Sequence, residues 1–600
     1  MKRLVIPVLL TRLLAALGLA VGLGLGLVAC GNMQTETPAS QQGAQKAQPT
    51  VVVSPPAPQP DVSTRPAPSR DDRAKQEQPK PVASPAEARR EQMADKRIAA
   101  APVAAGMPSP YSTVMQQPVA EERERYGQIN DNPVHLVAES PVSTFSIDVD
   151  TGSYSNMRRF LNQGRLPPAD ALRVEELINY FPYDYAQPTD GRPFAVHTEL
   201  APAPWNAQKL LLAIGIKGKD VAKQSLPAAN LVFLVDVSGS MNSPDKLPLL
   251  KSSLKLLVNE MRAQDRISLV TYADGTGIVL PPTAGTDKAT INAAIDALRA
   301  GGSTAGASGI QLAYSAAQQS FIKGGINRIL LATDGDFNVG ISDTRQLKSL
   351  IEEKRKSGIS LSTLGFGTGN YNEAMMEQIA DVGDGAYSYI DNLMEGHKVL
   401  VNEMTSTLAT IAQDVKVQVE FNPATVQEYR LVGYENRILK REDFNNDKVD
   451  AGDIGAGHTV TALYEITLKG APGLIDPLRY GVTAGASLET AKLGNELAHV
   501  KLRYKLPGES GSTLIDRVVS QDAQRDMAQA SNEFRFATAV AGFGQLMRGG
   551  KYTGNWKFAD ARALAAASVG KDRFGYRGEF LRLVDLASSL STRPMARKED

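Results

Sequence analysis

From residue 229 onward the hydrophobic positions fall into short, fully apolar runs separated by helix-spaced stretches. The runs at 230–236 (NLVFLVD), 266–273, 328–333, 359–367 and 386–390 predict strands, with a short neighbour at 276–282. The stretches at 246–262, 288–300, 308–322, 343–358, 372–383 and 392–410 predict helices. Strands apolar on both faces and alternating with helices argue for a doubly wound, mostly parallel sheet over 229–411. Such sheets bind ligands at the carboxyl ends of their strands, where the winding reverses. The strands preceding Asp236 and Asp334 are expected side by side.

On either side of this region the period changes. Residues 191–228 carry two predicted strands and 412–510 carry several more, with apolar and polar positions alternating. That period suits a β-sandwich with one wet face. Pairing the two pieces leaves the α/β domain inserted in a sandwich. Residues 126–190 predict a strand and two helices, read as a small N-terminal α+β domain. Residues 511–600 show helical patterns. The fold class is therefore multidomain α/β plus β, with a helical C-terminal region.

The first 125 residues read differently. Lys2, Arg3 and Arg12 precede an uncharged apolar stretch from Leu13 to Ala29, which is a signal-peptide layout over 1–29. Residues 30–125 are rich in Pro, Ala, Gln and Ser and poor in large apolar side chains. Such a segment buries too little surface to offset chain entropy and predicts a flexible tether.

Composition removes several function classes. The 65 basic and 65 acidic residues balance, so no phosphate-binding footprint is implied. There is no P-loop pattern, no His-Glu-x-x-His motif among the five histidines and no Gly-x-Ser-x-Gly elbow with partners. After residue 29 no apolar run reaches about 18 residues, which argues against a membrane-spanning helix.

The chemistry concentrates at the predicted strand ends. Asp236, Ser238 and Ser240 place short oxygen ligands on alternate residues just after a strand. Thr304 lies in a glycine-rich loop, and Asp334 follows another strand. Hydroxyls and carboxylates suit a small hard cation, and the lack of His and Cys disfavours zinc. The bland alternative is a capped strand-to-helix turn. The five residues, in this order and on these elements, resemble the metal-ion-dependent adhesion site of von Willebrand factor type A domains. The resemblance implies that Ser238, Ser240 and Thr304 contact the metal directly. It also implies that Asp236 and Asp334 act through waters and that a partner's carboxylate fills the open position. Mg²⁺ or Mn²⁺ is expected in preference to Ca²⁺, which wants a larger oxygen cage.

Two further acidic segments invite the same question. Asp148 and Asp150 follow a predicted strand and read as helix-capping residues, with a second cation site as the alternative. Asp443, Asn445 and Asp447 have the 1, 3, 5 spacing of an EF-hand loop. Lys448 replaces its turn glycine and Ile454 its bidentate Glu, so a polar hairpin loop is the preferred reading.

Cys30 is the only cysteine and directly follows Leu27-Val28-Ala29. A lone cysteine forms no internal disulfide. The segment resembles a bacterial lipobox, which implies cleavage before Cys30 and acylation, including palmitate, on it. Gly31 rather than Asp at the next position implies the outer membrane by the enteric sorting rule. From about 143 to 590 the chain resembles bacterial von Willebrand factor A lipoproteins, often labelled calcium-activated chloride channel homologues. The expected function is metal-dependent capture of a partner protein from a lipid anchor in the cell envelope. An envelope assembly or maintenance factor, in which the site regulates a complex, and a metal-dependent hydrolase remain open.

Overall fold

A computed structural model of the protein describes residues 124–592 apart from 304–305, 336–343, 370 and 477–492. The expected signal peptide, Cys30, the expected tether up to residue 123 and Thr304 lie outside the described residues. Glu124 and Arg125, by contrast, bond Arg159 and Tyr371 of the folded body.

The chain enters through β1 (His135–Leu136) and β2 (Val142–Ser146), helices α1 (Gly152–Asn162) and α2 (Val174–Asn179), and the long strands β3 (Phe194–Ala203) and β4 (Asn206–Gly218). The α/β domain follows: β5 (Ala229–Asp236), α3 (Leu247–Glu260), β6 (Arg266–Tyr272), β7 (Thr276–Ala284), α4 (Lys288–Ala297), α5 (Gly306–Gln319), β8 (Ile326–Thr333), α6 (Thr344–Arg355), β9 (Ser360–Phe366), α7 (Glu373–Val382), β10 (Tyr387–Ile390), α8 (Leu393–His397) and α9 (Met404–Leu408). Its six strands form one sheet in the order β10-β9-β8-β5-β6-β7. All pairs are parallel except the edge pair of β6 with β7. Every residue of β5 is buried, because helices cover both faces. One apolar core lies on each face of the sheet.

The return segment supplies β11 (Thr410–Phe421), β12 (Val426–Val432), β13 (Ile454–Gly455), β14 (Thr459–Leu468), β15 (Glu496–Lys505) and β16 (Ser512–Ser520). Strand β14 pairs with β4, and the first sheet runs β1-β12-β14-β4-β3. The second runs β13-β11-β15-β16, with β2 also beside β11. Both inner faces share one core. The sandwich is thus built from segments on both sides of the inserted α/β domain.

Two expected boundaries shift. Residues 126–190 are not a separate domain. Strands β1 and β2 join the two sheets of the sandwich, and α1 and α2 pack against the C-terminal helices α10 (Asn532–Met547), α11 (Phe558–Ala566) and α12 (Tyr576–Ser591). Tyr154, Leu177 and Phe181 share one core with Phe536 and Phe580, and Phe181 meets both phenylalanine rings edge-on. Neither helical piece has an apolar face of its own large enough to close a core, so each completes the other. The sandwich also extends past 511: β16 is an edge strand with Leu514 and Val518 exposed. Its doubled apolar pairs, Leu514-Ile515 and Val518-Val519, hide the period-2 signal.

Charged side chains fill the seam between the α/β domain and α1, α2 and α12. Arg158 of α1 bonds Asp391 and Glu395 of the α/β domain and Glu579 of α12. Arg437 of the sandwich meets Asp148 and Asp150 as well as Asp381 of α7. Among the described residues no helix is long and apolar enough to cross a membrane.

Candidate metal centre

The parallel pairing of β5 with β8 sets Val235 beside Ala332. Both strands therefore deliver an aspartate to the same end of the sheet one or two residues later. The turn after β5 is held from both sides. Val237 N–H donates to the Tyr272 carbonyl at 3.0 Å, and Gly239 N–H to the Gly302 carbonyl at 2.9 Å. Gly301 N–H returns a bond to the Val237 carbonyl at 2.8 Å. The glycine-rich loop leading to residue 304 is thereby fastened to the Asp-x-Ser-x-Ser turn.

Asp236 and Asp334 are both 0 % exposed. Asp236 Oδ1 accepts the Ser238 N–H at 2.9 Å. Its Oδ2 accepts the Thr333 hydroxyl at 2.8 Å and the Tyr272 hydroxyl at 3.3 Å. The Ser238 and Ser240 hydroxyls lie 3.0 Å apart, with Ser238 buried and Ser240 exposed. Burial pushes the Asp236 carboxyl above its ordinary range and the charge of Asp334 adds to the push, while the hydrogen bonds from Ser238 and Thr333 oppose it. Asp334 Oδ2 accepts the Lys246 ammonium at 2.9 Å.

This donor set fits a hard divalent cation. Its oxygens are all carboxylate or hydroxyl, and two buried carboxylates disfavour each other's charge unless a cation lies near. Among the described residues no group of three or more His, Cys, Asp or Glu is arranged to hold a metal, so hydroxyl donors are needed to complete a shell. Asp236 is engaged by donors from three segments, which suits a carboxylate that orients a shell rather than one that enters it directly. Sequence reasoning missed Thr333, Tyr272 and Lys246. Thr333 immediately precedes Asp334, yet only the strand pairing shows that its hydroxyl serves Asp236.

The other acidic segments resolve differently. Asn445 Oδ1 accepts from Arg503 at 3.0 Å, and Asp447 Oδ1 from Ser512 at 2.6 Å. Asp443 and Asn445 lie on a 3₁₀ turn, Arg441–Asn445. The loop is stitched to β15 and β16. Asp148 and Asp150 do not cap α1, whose N-cap is Thr151 without a side-chain bond. The Ser153 N–H instead donates to Glu176 of α2 at 2.7 Å. Asp150 Oδ1 accepts the Tyr387 N–H at 2.8 Å, tying the start of α1 to β10.

Similarity to known proteins agrees with this architecture. The von Willebrand factor type A domain family matches residues 230–403, a von Willebrand factor family matches 120–213, and the family described as Uncharacterized protein YfbK, C-terminal, matches 406–590. The chain is 53% identical over 474 residues to the uncharacterized protein YfbK of Escherichia coli (strain K12), covering 78% of this chain and 81% of that protein. An uncharacterized protein of Synechocystis is 31% identical over 195 residues, covering 32% of this chain and 45% of its own length. Among solved structures, a von Willebrand factor type A protein from Catenulispora acidiphila covers 67% of this chain and 92% of its own, at 18% identity and a TM-score of 0.37. The inserted parallel sheet, the family matches on all three segments and the identity to the E. coli protein agree: the chain belongs to the YfbK family of von Willebrand factor type A domain proteins.

Proposed function

We propose that this protein is a non-enzymatic, lipid-anchored module of the cell envelope that captures a partner protein through a divalent cation. The carrying observation is the oxygen-lined end of β5 and β8, where buried Asp236 and Asp334 sit beside paired serine hydroxyls and Ser240 faces solvent. Domains of this family commonly mediate protein interaction. Ser238, Ser240 and Thr304 would hold Mg²⁺ or Mn²⁺, with Asp236 and Asp334 orienting the shell. The cation, when bound, supplies an open position for an acidic side chain of the partner. Acylation of Cys30 would keep the folded part at the outer membrane, at the end of a long tether.

The test is calorimetric titration of MgCl₂ into wild type, Asp236→Asn and Asp334→Asn, paired with affinity capture from envelope extracts with and without EDTA. Metal binding and capture are expected in wild type and lost in both variants and in EDTA. Capture that persists in EDTA and in both variants would overturn the reading. Asparagine is preferred to alanine because Asp236 is fully buried. Asp236→Ala removes a buried carboxylate that accepts from both Tyr272 and Thr333, at a cost of about 1–3 kcal/mol unrelated to metal.

A further inference from the structure

A cavity of about 900 Å³ opens where the chain enters and leaves the inserted domain. Asp220 lines it on the way in, and Asn402 and Thr405 line it on the way out. The sandwich contributes His458, and the loop before α12 contributes Lys571, Arg573 and Phe574. Asp184 and Glu533 line this cavity and also a neighbouring one of about 380 Å³, so the two form one continuous groove. Space of this size suits an extended molecule rather than an ion.

The charges inside the groove are already matched. Lys217 lies 2.9 Å from Asp220, Lys398 lies 2.8 Å from Glu403, and Arg577 pairs with Glu533. Asp572 accepts the Arg577 and Gly578 N–H groups at the start of α12. Among the described residues, the interior groups left without a partner are uncharged: the His458 ring, the Thr405 hydroxyl and the Asn402 Oδ1, whose Nδ2 donates to Tyr576. Burial pushes the His458 imidazole down to about 4, the Lys398 and Lys217 charges add to the push, and Asp148 opposes it. A neutral imidazole offers one donor and one acceptor, as a hydroxyl requires. At the rim Phe574 is 36 % exposed, and Arg573 lies over its ring at 5.1 Å. There the unpaired cations Lys571 and Arg573 outnumber one unpaired carboxylate, Asp184. Neutral hydrogen-bonding groups beside an open aromatic ring match a pyranose, which is polar at its edge and apolar on its C–H face. A free phosphate would need unpaired cations converging in the interior. We infer that this groove binds an oligosaccharide carrying carboxylate groups, with a sugar ring against Phe574 and a carboxylate at Lys571 and Arg573. The binding needs no cation at the ends of β5 and β8 and stands apart from the metal reading.

The experiment titrates tetrasaccharides into the detergent-solubilised full chain by calorimetry, in EDTA so that no divalent cation contributes. One probe is neutral, built of N-acetylglucosamine alone. Two carry carboxylates: alternating N-acetylglucosamine and N-acetylmuramic acid, and mannuronic acid. A glutamate pentapeptide and inorganic phosphate test the other anion classes. Wild type is expected to bind an acidic tetrasaccharide about tenfold more tightly than the neutral one, the pentapeptide or phosphate. Which acidic sugar binds separates a wall glycan from a uronate polymer. Phe574→Ala should weaken that binding by about tenfold, and Phe574→Tyr should restore it. Lys571→Gln combined with Arg573→Gln should bring the acidic sugar down to the affinity of the neutral one. Unfolding temperatures should match wild type in every variant, because all three side chains are exposed. Absence of sugar binding, equal affinity for acidic and neutral sugars, equal affinity in wild type and Phe574→Ala, or a preference for the pentapeptide or phosphate overturns the inference.

Discussion

Arg173, the N-cap residue of α2, places its guanidinium 2.7 Å from Glu373 and 2.7 Å from Glu377, both on α7 of the inserted domain. Arg173 and Glu373 are almost fully buried, and the same guanidinium lies 3.3 Å from Glu176 of its own helix. One cation therefore compensates several carboxylates across the seam between the α/β domain and the helical segment between β2 and β3. Removing it would strand buried negative charge, and breaking a buried pair in this way costs about 3–5 kcal/mol.

Arg173→Met is therefore expected to lower stability by about 3–5 kcal/mol, read as an earlier urea midpoint for the whole folded body. A change below about 1 kcal/mol, the level of a surface pair, would show that water reaches the seam and that the pairs contribute little.

The same seam should titrate. Burial pushes the Glu377 carboxyl up to about 7 from an ordinary 4.5, and Glu176 and Asp381 add to the push while Arg173 and Arg437 oppose it. Between those values the folded chain holds a proton that the unfolded chain has lost. The stabilisation is complete below about 4.5 and is lost as pH rises through about 7. Glu377→Gln removes this dependence. Relative to wild type, the variant should gain roughly 1–3 kcal/mol between pH values below and above that window. Parallel pH profiles of the two chains in urea unfolding would refute it.

Excised pieces should behave unequally. Residues 228–411 contain the whole six-stranded sheet and both of its cores, and are expected to unfold cooperatively when expressed alone. Residues 413–510 lack β2, β4 and β16, which flank β11, β14 and β15. A sheet without its neighbours exposes its apolar face and unpaired edges. Circular dichroism should show no cooperative thermal transition for that piece, and a sharp one would sink the split-sandwich account.

Cys30→Ser is expected to move the protein from the membrane fraction to the soluble fraction, or to leave it as an unprocessed precursor. Membrane retention with normal processing and no lipid on residue 30, judged by fractionation and mass spectrometry, would remove the anchor from the proposal.

How much of the site was legible depended on how local each signal was. Asp236, Ser238 and Ser240 lie within five residues, and Asp334 directly follows an apolar run, so pattern and motif sufficed. Lys246 looked like an ordinary helix-start residue. What hinted otherwise was a cation at the wrong end of the dipole. Tyr272 and Thr333 looked like strand residues, and their service to Asp236 depends on β6 and β8 flanking β5. Asp148 and Asp150 carried a capping signal that the structure did not use, because Glu176 reached α1 from another helix.

By itself the sequence determined the alternation of elements in the inserted domain, the adjacency of its two strand-end aspartates and the oxygen character of the site. These follow from periodicity and side-chain chemistry, which are properties of short stretches. Only the tertiary structure decided that α1 and α2 close a core with α10–α12, that β2 and β16 belong to the sandwich, and that Arg158, Arg173 and Arg437 rivet its seams. Those outcomes depend on which incomplete apolar faces and which buried charges find each other across hundreds of residues. Burial raises the cost of an unpaired charge enough to select those partners, and no local pattern records the selection.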